Sequence, residues 1–157
     1  MIHYILKFLL SYIKQDIYRR IPIKQEKQEI PNLITREEIL MGRDKEFPLT
    51  PELESNLVKL SLALNKFRVA YGKPLIITSG YRPSHYNSDA GGAKKSNHCL
   101  CRAVDFADKD RSLMAFCISN LKLLEDCGLW MENPAVTKSW IHLQIVPPKS
   151  GNRIFNP

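Results

Sequence analysis

No stretch of the 157-residue sequence is apolar for long enough to cross a bilayer, which takes about 20 residues. The nearest candidate, Met1 to Ile13, is broken by Lys7 and is followed by no small-residue cleavage site of the A-x-A kind, so no clear cleavable signal peptide is present. No internal repeat period appears, which argues against solenoids and propellers. The four cysteines contain no C-x-x-C pair: Cys99 and Cys101 are separated by one residue, the wrong spacing for a zinc ribbon. A disulfide framework belongs to much smaller chains, so the cysteines read as buried small hydrophobes in a protein made in a reducing compartment. Nucleic-acid motifs are missing too, and the basic residues are scattered. The formal charge of +7 is therefore not read as a nucleic-acid footprint; it favours an acidic membrane surface or an acidic cell-wall polymer.

What is present suits one globular core: 44% hydrophobic and 25% charged residues in a chain of single-domain length. Residues 1–31 are expected to form an amphipathic N-terminal helix and a polar linker. Ile5, Leu9, Tyr12 and Ile13 recur at helical spacing, with Lys7, Lys14, Arg19 and Arg20 giving a basic side. That helix is expected to pack on the domain or a neighbour, to bring residues 1–20 to a membrane surface, or to act as a degenerate export signal. Residues 32–157 are expected to be the functional domain. Thr35-Arg-Glu-Glu38 is a capping box for a short helix stopped by Gly42. Thr50-Pro51 opens a long helix with the stripe Leu53, Leu57, Leu60, Leu64 and Phe67, closed near Gly72. Leu75–Thr78 reads as a buried strand and Ser79–Asn97 as a long loop, a length that is usually functional. Arg102–Ala107 is a second strand, and Asp110 caps a helix running to Gly128. Leu129–Glu132 and Trp140–Val146 make two more strands. Helices first and strands later predict an α+β domain with a small antiparallel or mixed sheet.

Alternation decides what the strands display. Trp140, His142 and Gln144 share one face, with Ile141, Leu143 and Ile145 on the other. Ala103, Asp105 and Ala107 share a face opposite Val104 and Phe106. A buried carboxylate between two alanines needs a cation or donors. His98 stands just before this strand. Two imidazoles and a carboxylate are a standard catalytic zinc set that leaves a fourth position for water. Each residue alone has a bland alternative: a hydrogen-bonded strand histidine, or an ion pair of Asp105 with Arg102.

Ser96-Asn-His-Cys-Leu-Cys-Arg-Ala-Val-Asp105 resembles the S-x-H-x-x-G-x-A-x-D signature of the zinc D-Ala-D-Ala peptidases, a group that includes D-alanyl-D-alanine carboxypeptidases and phage L-alanyl-D-glutamate endolysins, with the hedgehog signalling domain as a fold relative. Ile77-Thr-Ser-Gly-Tyr-Arg-Pro83 resembles the S-G-Y-R segment of that family. Asn87 and Gly91–Ser96 match its following loop, and Trp140-Ile-His142 its W-x-H. The likeness runs from about Thr50 to Val146 in the right order.

The resemblance implies a hedgehog/DD-peptidase fold, zinc on His98, Asp105 and His142, Arg82 anchoring a substrate carboxylate, and Ser96 as a hydrogen-bond donor. It implies a metallopeptidase acting on peptidoglycan stem peptides at the bacterial cell wall, as a phage virion or lysis protein or an exported bacterial protein. Two departures stand out. Cys101 replaces the usual Gly, and Ser139 occupies the place of the glutamate in E-x-x-H. Glu132 is the nearest upstream glutamate, and it serves as general base if β-strands 129–132 and 140–146 pair antiparallel without a bulge. Ser139 also keeps a second reading open, a catalytically inactive zinc-containing module that binds peptidoglycan or a protein.

Overall fold

The computed structural model describes residues 33–157. The expected N-terminal helix and linker lie outside the described residues. Among the described residues, no helix is long and apolar enough to cross a membrane.

The order of elements is α1 (Arg36–Leu40), α2 (Pro51–Tyr71), β1 (Ile77–Ser79), α3 (Ser84–Asp89), β2 (Ala103–Ala107), α4 (Ser112–Ser119), α5 (Leu121–Asp126), β3 (Trp130–Glu132), β4 (Trp140–Gln144) and β5 (Ile154–Phe155). The fold is α+β: a five-stranded mixed sheet in the order β1-β2-β4-β3-β5 with helices packed on it. Pairings are antiparallel except β3 with β5, which is parallel.

Both expected helix starts form. Thr35 and Glu38 complete a reciprocal capping box, and Thr50 Oγ1 accepts from Leu53 N with Pro51 in the first turn. On α2, Leu57, Leu60, Leu64 and Phe67 are buried, and Leu53 is half-buried at the rim of the same core. Fully burying each such side chain is worth about 1.5–3 kcal/mol. The core-facing residues expected on the strands, Val104, Phe106, Ile141 and Leu143, are fully buried against this helix layer. Cys101, Cys117 and Cys127 are buried and all four cysteines are free thiols.

Four expectations are corrected. The segment 79–97 is not all loop, because Ser84–Asp89 turns into α3. That helix has no apolar stripe to announce it; its buried residue is the polar Asn87. The helix expected to run unbroken to Gly128 is two helices. Asn120 leaves helical backbone (φ −131, ψ 45) while its Nδ2 bonds back to the Phe116 carbonyl at 2.8 Å. That local alternative to the helix ladder is the reason asparagine breaks it. Asp110 takes only the first N–H of α4, that of Ser112. The buried Asp108 carboxylate takes the Leu113 and Met114 N–H groups at 3.0 Å each. The first strand is shifted to Ile77–Ser79, and β5 was not foreseen, since two residues carry no alternation.

Candidate metal centre

Three elements bring the donors together. His98 sits on a 3-10 turn, Asn97–Leu100, whose first N–H groups are capped by Ser96 Oγ, accepting from His98 N at 3.3 Å. Asn56 of α2 donates to the Leu100 carbonyl at 3.0 Å, and Arg82 N donates to the His98 carbonyl at 3.1 Å, so the turn is tied to the helix layer and to the segment after β1. Cys101 closes the turn in left-handed backbone (φ 52, ψ 38). That is the conformation in which glycine is unstrained, and it explains why a glycine belongs at this position of the motif. Asp105 lies in the middle of β2 and His142 directly opposite it on β4.

His98 Nε2, Asp105 Oδ1 and His142 Nδ1 form a triangle with edges of 2.8 Å (His142–Asp105), 3.2 Å (His98–His142) and 3.3 Å (His98–Asp105). A tetrahedral ion with donors at about 2.0–2.1 Å holds them about 3.3 Å apart, so the set fits one zinc ion with little adjustment. These residues make a group of metal-binding type among those described. Electrostatics agree. His98 is 1% exposed, and burial, the largest influence, holds it below the usual histidine range despite Asp105. Its Nδ1 lies 2.9 Å from the Gly80 carbonyl, which can only accept. The ring is thus neutral with its proton on Nδ1, and Nε2 keeps a free lone pair. Burial pushes the Asp105 carboxyl up, but its 2.8 Å contact with His142 Nδ1 and the neighbouring His98 together outweigh it and hold the group well below the usual carboxylate range. Asp105 is not paired with Arg102, whose guanidinium goes to Glu52 at 3.2 Å.

The triangle opens into a cleft of about 720 Å³, whose lining includes Arg82, Ser96, Glu132 and Trp140. Strand β3 pairs antiparallel with β4, Trp130 against Gln144 and Met131 against Leu143. Continuing that register by one residue sets Glu132 across from His142 on the same face. Burial raises the Glu132 carboxyl above the ordinary carboxylate range, opposed by His142 and reinforced by Asp105. Arg82 is half-buried, and its Nε is a buried donor without a partner among the described residues. Ser139 is exposed at the end of the β3–β4 connection, where its carbonyl takes the Asp108 N–H at 2.9 Å.

The family model for Peptidase M15 matches residues 32–144, from just before α1 to the last residue of β4. The chain belongs to the Peptidase M15 family. A search of the curated proteins finds none that matches it. The five-stranded mixed sheet with packed helices is the M15 hedgehog/DD-peptidase fold, and M15 peptidases act on cell-wall peptides. The matched span contains the whole triangle, Arg82, Ser96 and Glu132.

Several residues that build this M15 site gave no warning in the residue pattern. Gly80 must bring its carbonyl to His98 while passing the Ile39 carbonyl so closely that an added Cβ would stand 1.9 Å from that oxygen. Asn97 reaches Gln144 Oε1 at 2.9 Å. Part of one cleft wall comes from the C-terminal segment, including Pro147 and Phe155. Close backbone approach was the only readable signal, and it resides in the S-G-Y-R glycine.

Proposed function

We propose that this chain is a zinc peptidase that hydrolyses peptide bonds in peptidoglycan stem peptides, as a carboxypeptidase or endopeptidase in wall remodelling or lysis. The observation that carries the reading is the His98–Asp105–His142 triangle in an M15 chain, open to a cleft that also holds a carboxylate and an arginine. In this reading His98 Nε2, Asp105 Oδ1 and His142 Nδ1 hold the zinc. The ion supplies Lewis acidity toward the scissile carbonyl and acidifies the attacking water. Glu132 is the general base: its carboxylate takes a proton from that water and returns it to the leaving amine as the C–N bond breaks. Its raised pKa suits both transfers, since a base poised nearer neutrality also serves as an acid. Arg82 holds a substrate carboxylate through its planar fork. Ser96 Oγ accepts from the His98 N–H, and its own hydroxyl proton remains available to donate to substrate. Residues 32–157 are the peptidase domain, and the acidic wall polymer matches the basic charge of the chain.

Zinc content of protein purified without added metal, combined with mass spectrometry of digested peptidoglycan, tests this. Near-stoichiometric zinc with a defined cleavage supports it; a folded protein that takes up no metal refutes it. Ser139 favours a second reading, a zinc-containing binding module that has lost its base. Stem-peptide binding without turnover in the parent protein selects that reading.

A further inference from the structure

His142 and Gln144 lie two residues apart on β4, so both stand on the cleft face of the sheet. Gln144 is 5% exposed, and both ends of its amide are engaged. Its Nε2 donates to the Val146 carbonyl at 2.6 Å. A carbonyl only accepts, so that end of the amide must be nitrogen. Oε1 is thereby turned toward Asn97 Nδ2 at 2.9 Å and His142 Nε2 at 3.3 Å. Flipping the amide would set oxygen against the Val146 carbonyl and N–H against Asn97 Nδ2, leaving buried polar atoms unpaired. An amide oxygen has no proton to give, so His142 must meet it with Nε2–H. A ring carrying one proton then keeps its Nδ1 lone pair, and Nδ1 is the atom 2.8 Å from Asp105 Oδ1 and 3.2 Å from His98 Nε2.

We propose that Gln144, held by the Val146 carbonyl and Asn97, is a positioning residue: it places the His142 proton on Nε2 and reserves Nδ1 for the metal ion. The two imidazoles are oriented oppositely, His98 by a carbonyl at its Nδ1 and His142 by an amide oxygen at its Nε2. Only this pairing of tautomers points one lone pair from each ring into the triangle. The proposal rests on the metal reading of the site, but not on peptidase activity. Acceptors behind metal-bound histidines of this kind fix ring orientation, and their loss typically weakens metal binding about 10–100-fold.

In the metal-free protein a second proton shared between His142 Nδ1 and Asp105 is compatible with the same lock, so the test uses the metal-loaded chain. With histidine ¹⁵N-labelled and ¹¹³Cd bound, one-bond cadmium–nitrogen coupling is expected at His142 Nδ1 and His98 Nε2, and His142 Nε2–H is expected to exchange slowly with solvent. Gln144→Met keeps the side-chain length without a hydrogen-bonding amide; it should lose the exchange protection and weaken zinc about 10–100-fold. Gln144→Glu keeps an acceptor toward His142 but sets an oxygen against the Val146 carbonyl, so the protected proton should return while stability drops. Asn97→Ala should weaken zinc less than Gln144→Met. Cadmium coupling to His142 Nε2, or protection and affinity unchanged in Gln144→Met, overturns the proposal. If Gln144→Met fails to fold, the coupling in the parent and the effect of Asn97→Ala decide it. Metal bound through Nδ1 in a protein that leaves peptidoglycan intact upholds the lock and removes the peptidase reading; no metal uptake by the parent overturns both.

Discussion

The two sides of the cleft are held by very different amounts of structure. On the metal side, Asp105 and His142 face each other within a ladder of five paired positions between β2 and β4, backed by fully buried Val104, Phe106, Ile141 and Leu143. His98 is added from a turn that helix α2 and the segment after β1 both hold. On the base side, Glu132 ends a three-residue strand that is paired to β4 at two positions, with the two-residue β5 beyond it. A one-residue slip of β2 against β4 would turn every core residue of the two strands outward, so the positions of Asp105 and His142 are over-determined. The same slip of β3 would cost far less, so the position of Glu132 depends on a few contacts. In the proposed reading, binding a metal and turning over substrate therefore rest on separable parts of the molecule.

That contrast is broken most severely by removing a metal donor. Asp105→Ala takes the carboxylate from the centre of the triangle and should abolish stoichiometric zinc and all hydrolysis, measured by elemental analysis and peptidoglycan digestion. Zinc retained at full occupancy would mean that the triangle is not the metal site. Glu132→Gln probes the other side: zinc should stay bound while hydrolysis falls about 100-fold or more, the scale for losing a positioned acid–base group. If both fall together, the two sides are not separable.

Arg82→Lys keeps the charge and loses the fork. Turnover should drop about 10–100-fold, as expected for loss of a charge-assisted bond to substrate, with the melting temperature unchanged. Unfolding of Arg82→Ala would instead make Arg82 a structural brace of the loop after β1.

Acid should act on the metal side first. His98 is held below its usual range by burial, so the unfolded chain binds a proton there that the folded chain refuses. Stability of the metal-free protein is therefore full above about pH 6.5 and declines as pH falls below it. Asp105, held low against its burial by the two histidines, has the same sign: its contribution is full above about pH 3.9 and is lost as pH falls further. Denaturant melts across this range should show both losses, and His98→Gln should remove the upper one. A metal-free protein equally stable at pH 7 and pH 5 would contradict the account.

The smallest effect is expected at Cys101. Burial pushes its thiol up to about 12, and that of Cys117 likewise to about 12, so neither reacts in the folded protein. Half-buried Cys99 is the thiol that alkylating reagents should reach first. Cys101→Gly relieves left-handed strain and loses a small buried side chain, so stability should change by no more than about 1 kcal/mol.

Much of this site was legible because strands announce their faces. Alternation alone put Asp105 and His142 on cleft-facing positions and their neighbours in the core, and the structure bears out both. The capping box at Thr35 and the leucine stripe of α2 were equally readable, since caps and helical periods are local. The share of the α4 cap taken by Asp108 gave no signal, because a carboxylate five residues before the N–H it caps looks like an ordinary end of a strand. Asn120 was misread because one side chain bonding back to Phe116 outweighs a continuous apolar pattern.

Residue order alone determined the α+β class, the long helix, the two strand faces and the resemblance that points to His98, Asp105 and His142 as a metal set. These depend on periods of 2 and 3.6 and on fixed spacings within a few residues. Tertiary structure alone decided that Asp105 stands opposite His142, that β3 runs antiparallel to β4 with Glu132 turned to the same face, and that Gly80 and Gln144 set the two ring nitrogens. Those facts concern register and hydrogen bonds between atoms far apart in the chain, and such pairings come into being only when the core closes.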